Sequence, residues 1–303
     1  MKKVLFTGGK GLLGKYFLNE IPNDYFVFAT FLNNNRDKLK AKNIKYLELD
    51  ITKRKDVGIL LRQYEPDVIV HAASIGNVDY CELHKKEAWK TNVNGTINII
   101  EESKKINSSV IYISSNAVFN GIRHPYSEKS RPSPIDYYGK TKLQAEEEMK
   151  TRLNKYSIIR LITMYGWNSK HERSNLATWM ISELEKGKDI KVVDDIYSNF
   201  LYAQDAAKII WKILLNKNNN LEDRGIYNVA GPECITRFEF AKKLSSVFDF
   251  NSKLLTPVSS DYFPNIAPRP KNTCFNIDKI KKLLDVDPVS VREGLRLMKN
   301  EEN

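Results

Sequence analysis

Apolar residues in this chain gather in short unbroken runs, and between those runs they recur at helical spacing. Val4-Leu5-Phe6 opens the series, and residues 26–30, 45–49, 67–72, 110–114 and 157–161 continue it. Short apolar runs with polar or glycine borders predict buried strands. Leu12, Leu13, Tyr16 and Phe17 form a helical stripe, and residues 53–64, 85–105 and 138–153 read as further helices. This alternation predicts an α/β fold, a Rossmann doubly wound parallel sheet covered on both faces. Beyond Gly166 the alternation loosens. Helices are predicted at 175–186, 203–215 and 238–248, strands at 190–193 and 226–229, and a proline-rich segment at 257–270. The expected division is a core of 1–165 plus 190–230 and a smaller C-terminal substrate-binding lobe of 166–189 plus 231–303.

In such sheets ligands bind beyond the carboxyl ends of the strands. The first strand runs into Gly8, Gly11 and Gly14, and then into the first helix. A helix N-terminus offers unpaired N–H groups and partial positive charge, and glycines admit a diphosphate close to the backbone. Gly8, Gly11, Leu12, Leu13 and Gly14 are therefore expected at a dinucleotide. The second strand ends without the acidic residue that would grip ribose hydroxyls, and Asn33 and Arg36 stand there instead. Donors at that place suit a 2′-phosphate, so NADP is expected ahead of NAD. Asp50 and Ile51 after the third strand fall where an adenine would lie. Ala72, Ala73 and Ser74 after the fourth are small enough for a cofactor to lie against the backbone. His71 has no nearby carboxylate to orient it and reads as a packed histidine.

Composition narrows the options. The net charge of +11 raises the question of nucleic acid, but the lysines are scattered beside acidic residues without interleaved aromatics. A solvated surface is expected, with no nucleic-acid and no membrane partner, since no apolar run reaches a membrane span. The N-terminus is too weakly apolar for a signal peptide. Cys81, Cys234 and Cys274 lie far apart, lack metal-ligand spacing and read as reduced thiols of a cytoplasmic protein. No metal is expected.

The fifth strand ends in Ser114-Ser115-Asn116-Ala117-Val118-Phe119, which places hydroxyls where a substrate carbonyl would be held. Downstream, Tyr138 and Lys142 share one face of a helix. A neighbouring ammonium is expected to lower the tyrosine pKa and make the two an acid–base unit.

The glycine turn, Ser115, Tyr138-x-x-x-Lys142 and Asn92 occur in an order and separation that resembles the extended short-chain dehydrogenases/reductases. Ser114 to Gly121, Tyr138 to Leu143, Arg160 to Gly166, Gly225 to Gly231 and Arg269 to Thr273 are most similar to segments of the dTDP-4-dehydrorhamnose reductases. The resemblance implies NADPH-dependent reduction of a nucleotide-linked 4-keto-6-deoxy sugar for surface-polysaccharide precursors. It implies Ser115, Tyr138 and Lys142 as catalytic residues, and Asn92, Tyr138 and Lys142 at the cofactor. Asn116, Val118, Phe119, Thr163 and Arg269 are implied at the sugar nucleotide, and a homodimer is the assembly it allows. Asn116, Ala117 and Thr163 depart from the reductase pattern, which expects Asp, Tyr and Trp there, so the identity of the sugar stays open. An NAD-dependent epimerase of the same family is one alternative. The other is a non-catalytic cofactor-binding chain like the regulatory subunit of methionine adenosyltransferase, which carries a similar Tyr-Gly-Lys-Thr-Lys-Leu segment.

Overall fold

The computed structural model describes residues 1–32, 42–169, 172–216, 225–264 and 266–301. Six parallel strands arise from the first half: β1 (Lys2–Thr7), β2 (Tyr25–Phe31), β3 (Ile44–Glu48), β4 (Val68–His71), β5 (Ser109–Ser115) and β6 (Tyr156–Leu161). Four short strands follow, β7 (Met164–Tyr165), β8 (Ile190–Val193), β9 (Tyr197–Ser198) and β10 (Leu201–Tyr202). Then come β11 (Gly225–Val229), β12 (Ile235–Thr236) and β13 (Leu255–Val258). The central sheet has the order β11-β6-β5-β4-β1-β2-β3, with every pairing parallel. Strand order reverses at β1, where β4 lies on one side and β2 on the other, and a crevice opens at such a switch point.

The strands are apolar throughout because both of their faces are covered. Val4 and Phe6 join one core cluster while Leu5 joins the other, and Ile111 and Tyr112 divide the same way. Helices α1 (Leu12–Asn19) and, later in the chain, α8 (Ala203–Leu215) cover the first face. On the other face lie α2 (Arg54–Tyr64), α5 (Gly95–Lys105) and α6 (Tyr137–Arg152). The helix expected over 85–105 forms as α4 (Lys85–Trp89) and α5 joined by a π-helical segment, Lys90–Asn94. Such insertions into a helix concentrate at functional sites. A further short helix, α3 (Val78–Leu83), precedes them and is capped by the Asn77 side chain.

The smaller lobe holds α7 (Leu176–Glu185), α9 (Arg237–Val247), α10 (Asp278–Leu284) and α11 (Val291–Asn300). Strand β8, expected within the core, pairs instead with β13. The chain leaves the central sheet after β6, and only β11 returns to its edge, beside β6. Cys234 and Cys274 form a disulfide with their Cα atoms 5.8 Å apart, which corrects the expectation of three reduced thiols. Forty residues separate them along the chain, so spacing carried no sign of the pairing. Cys81 alone is free, buried, and pushed up to about 11 by burial and then by Asp136. No helix among the described residues is long and apolar enough to cross a membrane, and no cluster of metal-ligating side chains occurs among them.

Candidate functional site

A cavity of about 450 Å³ lies at the switch point, at the carboxyl ends of β1, β2 and β4. Gly8, Gly11, Asp50, Ile51, Ala72, Ala73 and Ser74, which the sequence assigned to a dinucleotide, line it. Gly8 has φ +78, and a Cβ there would meet the Ala73 backbone nitrogen at 3.1 Å. The turn therefore needs glycine for both its conformation and its close approach. Leu12, Leu13 and Gly14 do not line the cavity. Leu13 is buried in the core, Leu12 packs against the same cluster, and Gly14 lies where a Cβ would meet the Gly9 carbonyl carbon at 2.6 Å. Their work is to press α1 onto the turn. Asn33 and Arg36 lie outside the described residues.

Lys10, Thr30, Phe31, Leu49, Thr52 and Thr91 also line the cavity and were not singled out from the sequence. The rule of strand carboxyl ends would have found Thr30, Phe31 and Leu49. Lys10 is the telling omission, because its ammonium lies 3.8 Å from the Phe31 ring centroid, at the β2 end of the cavity. Asp50 turns one oxygen inward to accept from the Thr52 N–H at 2.9 Å and its hydroxyl at 2.8 Å.

Asn92 is almost wholly buried in the π-helical segment. Its side chain accepts from the Ile75 N–H at 2.8 Å and donates to the Ile75 carbonyl and the Thr141 hydroxyl, each at 3.1 Å. Asn92 thereby ties the cavity wall at Ile75 to α6, rather than facing the cavity itself.

Helix α6 carries Tyr138 and Lys142 and is capped by Asp136, whose carboxylate accepts from the Gly139 N–H at 2.7 Å. Lys142 Nζ donates to the Ile113 carbonyl at 2.9 Å and lies 5.8 Å from the Tyr138 ring centroid. Burial pulls the Lys142 ammonium down to about 8, against the opposing pull of Cys81 and Glu146. Tyr138 departs from the sequence-based expectation. Burial raises its phenol well above the ordinary tyrosine value, and interaction with the Ser115 hydroxyl offsets this only in part. Desolvation wins because the ammonium is spent on a strand carbonyl and does not contact the phenol oxygen directly. Tyr138 is consequently protonated at neutral pH, the form a proton donor requires.

Ser115 lies at the end of β5, where its hydroxyl donates to Asn116 Oδ1 and accepts from the Ala117 N–H, both at 3.2 Å. Asn116 Nδ2 donates to the Thr273 hydroxyl at 2.6 Å, linking this strand end to the smaller lobe. Thr163 accepts from Ser198 at 3.5 Å on the same side, and Arg269 forms an ion pair with Asp79 at 2.8 Å. Val118 and Phe119 require correction as substrate contacts, since neither has any exposed surface. Phe119 stacks on Tyr126 at 4.2 Å with the Arg160 guanidinium 5.1 Å from its ring centroid, which places it in the core.

His71 is packed, as expected, between the Thr7 hydroxyl at 2.7 Å and the Thr96 hydroxyl at 3.0 Å. Burial, then the Lys142 charge, lower it from 6.5 to about 3. Its neutral form is thus favoured in the folded state, so its contribution is full above pH 6.5 and is lost as pH falls from there toward 3. Each unit of that window corresponds to roughly 1.4 kcal/mol. Urea unfolding at successive pH values should show His71→Asn with a shallower loss of stability between pH 6 and 4 than the native chain. Parallel profiles would remove His71 from the acid response.

The family model described as the RmlD substrate binding domain matches residues 1–303. A dTDP-4-dehydrorhamnose reductase of Aggregatibacter actinomycetemcomitans is 27% identical, with 98% of each chain covered. The methionine adenosyltransferase 2 subunit beta of Danio rerio is 26% identical over 97% of this chain and 89% of its own. Among solved structures, a dTDP-4-dehydrorhamnose reductase of Bacillus anthracis in complex with NADP superposes with a TM-score of 0.86 at 29% identity, covering 99% of this chain and 100% of that one. A sheet wound about the β1–β4 crevice, a glycine cradle at its mouth and a whole-length match to one family model agree: the chain belongs to the RmlD substrate-binding-domain family, on the fold of the extended short-chain dehydrogenases/reductases.

Proposed function

We propose that the chain is an NADPH-dependent reductase of a nucleotide-linked 4-keto-6-deoxy sugar. The observation that carries this reading is the convergence of Ser115, Tyr138 and Lys142 at the ends of β5 and α6, joined to the cavity wall through Asn92. The cavity fits a dinucleotide. Gly8 and Gly11 line it without side chains, and Lys10 offers a cation for a 2′-phosphate at the β2 end. When bound, NADPH supplies the hydride. Ser115 donates a hydrogen bond to the sugar keto oxygen, and Tyr138 delivers its phenolic proton to that oxygen as charge develops there. Lys142, with its ammonium at about 8, holds positive charge beside the phenolate that remains. Thr163, together with Arg269 of the smaller lobe, orients the sugar nucleotide.

The deciding experiment follows NADPH oxidation against dTDP-, GDP-, UDP- and CDP-linked 4-keto sugars. Turnover with one of them is expected, and kcat should decline as pH rises through about 8, where Lys142 loses its proton. A flat profile across that range would take Lys142 out of the proton-transfer step. The relatives named methionine adenosyltransferase 2 subunit beta, at 26–28% identity, support a second reading as a cofactor-binding chain without turnover. Tight NADPH binding with no oxidation of any sugar in the panel would favour that reading.

A further inference from the structure

The Cys234–Cys274 disulfide fastens together two segments that each lead to the proposed sugar site. On one side, Cys274 directly follows Thr273, whose hydroxyl accepts from Asn116 Nδ2 at 2.6 Å, next to Ser115. On the other, Cys234 directly precedes β12, which pairs antiparallel with β9 so that Ile235 lies opposite Ser198. The Ser198 hydroxyl in turn donates to that of Thr163 at 3.5 Å. Asn199 stands between the two sides. Its carbonyl accepts from the Gly231 N–H at 3.2 Å, and its side chain accepts from the Phe275 N–H at 2.7 Å.

The two cysteines are unequally placed. Cys274 is almost wholly buried; its N–H donates to Asn272 Oδ1 at 3.0 Å, and its carbonyl accepts from the Tyr126 N–H at 2.8 Å. Cys234 is exposed, on the loop between β11 and β12. A disulfide is opened by a thiolate that reaches one of its sulfurs, so access selects Cys234. Two thiol sulfurs cannot stay at bonding distance once the bond is gone. Hydrogen bonds hold Cys274 in place, so the displacement falls on Cys234 and on the two residue pairs that join β12 to β9.

We infer that the Cys234–Cys274 disulfide is a thiol-responsive switch that sets the Thr163 side of the sugar site. Its effect on turnover rests on the proposed reductase reading. A small dithiol is the reductant. Its thiolate attacks Cys234 Sγ, the Cys234–Cys274 bond breaks, and the electron pair leaves on Cys274 Sγ, which takes up a proton. The second thiol of the reductant, deprotonated, then displaces Cys234 as a thiolate that is protonated in turn. The protein gains two electrons and two protons, and the dithiol is oxidised to its disulfide. None of these residues lines the cavity at the glycine turn, so cofactor binding is unaffected.

Dithiothreitol treatment of the full chain tests this. Alkylation after denaturation should count one thiol before treatment and three after it. Reduction should raise KM for the 4-keto sugar nucleotide about three- to tenfold, the scale of losing one ordered polar contact, with NADPH affinity unchanged. Cys234→Ser should show the raised KM without dithiothreitol and no further response to it, and its native NADPH affinity shows that it is folded. Amide hydrogen exchange should quicken at residues 231–237 and 197–199 on reduction and stay unchanged in β1. Three thiols before treatment, one thiol after it, or unchanged exchange at β12 would overturn the switch. Quickened exchange with KM within about twofold of the oxidised value would overturn its link to the sugar site and leave the reductase reading standing. If the oxidised chain turns over no sugar in the panel, the reductase reading falls, and the link to turnover with it, while hydrogen exchange still decides whether reduction moves β12.

Discussion

Tyr138→Phe is expected to lower turnover by about 10²–10⁴-fold, the usual contribution of general acid catalysis. The substitution keeps the ring, so the packing of α6 and the contact with Lys142 survive. It removes the phenolic hydroxyl, whose proton burial helps retain at neutral pH. NADPH affinity should change little, because the Tyr138 hydroxyl contributes nothing to the glycine cradle that lines the cavity. Stopped-flow measurement of hydride transfer, with fluorescence titration of NADPH, separates the two quantities. Native-like turnover in Tyr138→Phe would remove Tyr138 from the mechanism and shift the proton source to Ser115 or water.

Glu146→Ala is expected to destabilise the fold by about 3–5 kcal/mol, because it leaves Arg160 as an unpaired buried charge. Glu146 and Arg160 are the most deeply buried ion pair among the described residues, with side-chain exposures of 0% and 1%. Glu146 accepts from Arg160 at 2.9 Å and 2.6 Å and also from the Ser114 hydroxyl at 2.6 Å. Glu146 thus joins α6, which carries Tyr138, to β6 through Arg160 and to β5, which carries Ser115, through Ser114. The double variant Glu146→Leu, Arg160→Leu should recover much of the loss, since an apolar replacement of both partners removes the stranded charge. Denaturant unfolding of the three proteins checks this. A Glu146→Ala protein within 1 kcal/mol of native would show that Arg160 finds another partner.

The parts of the site that were legible in the sequence are those encoded by local spacing. The glycine turn, Ser115 at a strand end and the four-residue step from Tyr138 to Lys142 each need only one element to be recognised. What was not legible depends on register between distant segments. Val118 and Phe119 follow Ser115, yet the return of the chain under Tyr126 and Arg160 turns them inward. The region 190–193 has strand composition, but its partner is β13 and not the central sheet. The ionisation of Tyr138 was misread for a related reason. Helical spacing reveals the ammonium four residues on, but not the desolvation that outweighs it.

The disulfide between Cys234 and Cys274 closes the segment that carries α9, β13 and Arg269 into one covalent loop. Cys274 also directly follows Thr273, which contacts Asn116 beside Ser115, and its carbonyl accepts from the Tyr126 N–H at 2.8 Å. The loop therefore meets the end of β5 at a fixed point next to Ser115. Ordering a gripping segment costs conformational entropy, and a cross-link moves much of that cost from the binding step to the folding step. On the proposed reductase reading, a sugar nucleotide entering this lobe meets residues whose freedom is already restricted. More of the contact energy it gains then remains to hold its keto carbon in line for reaction.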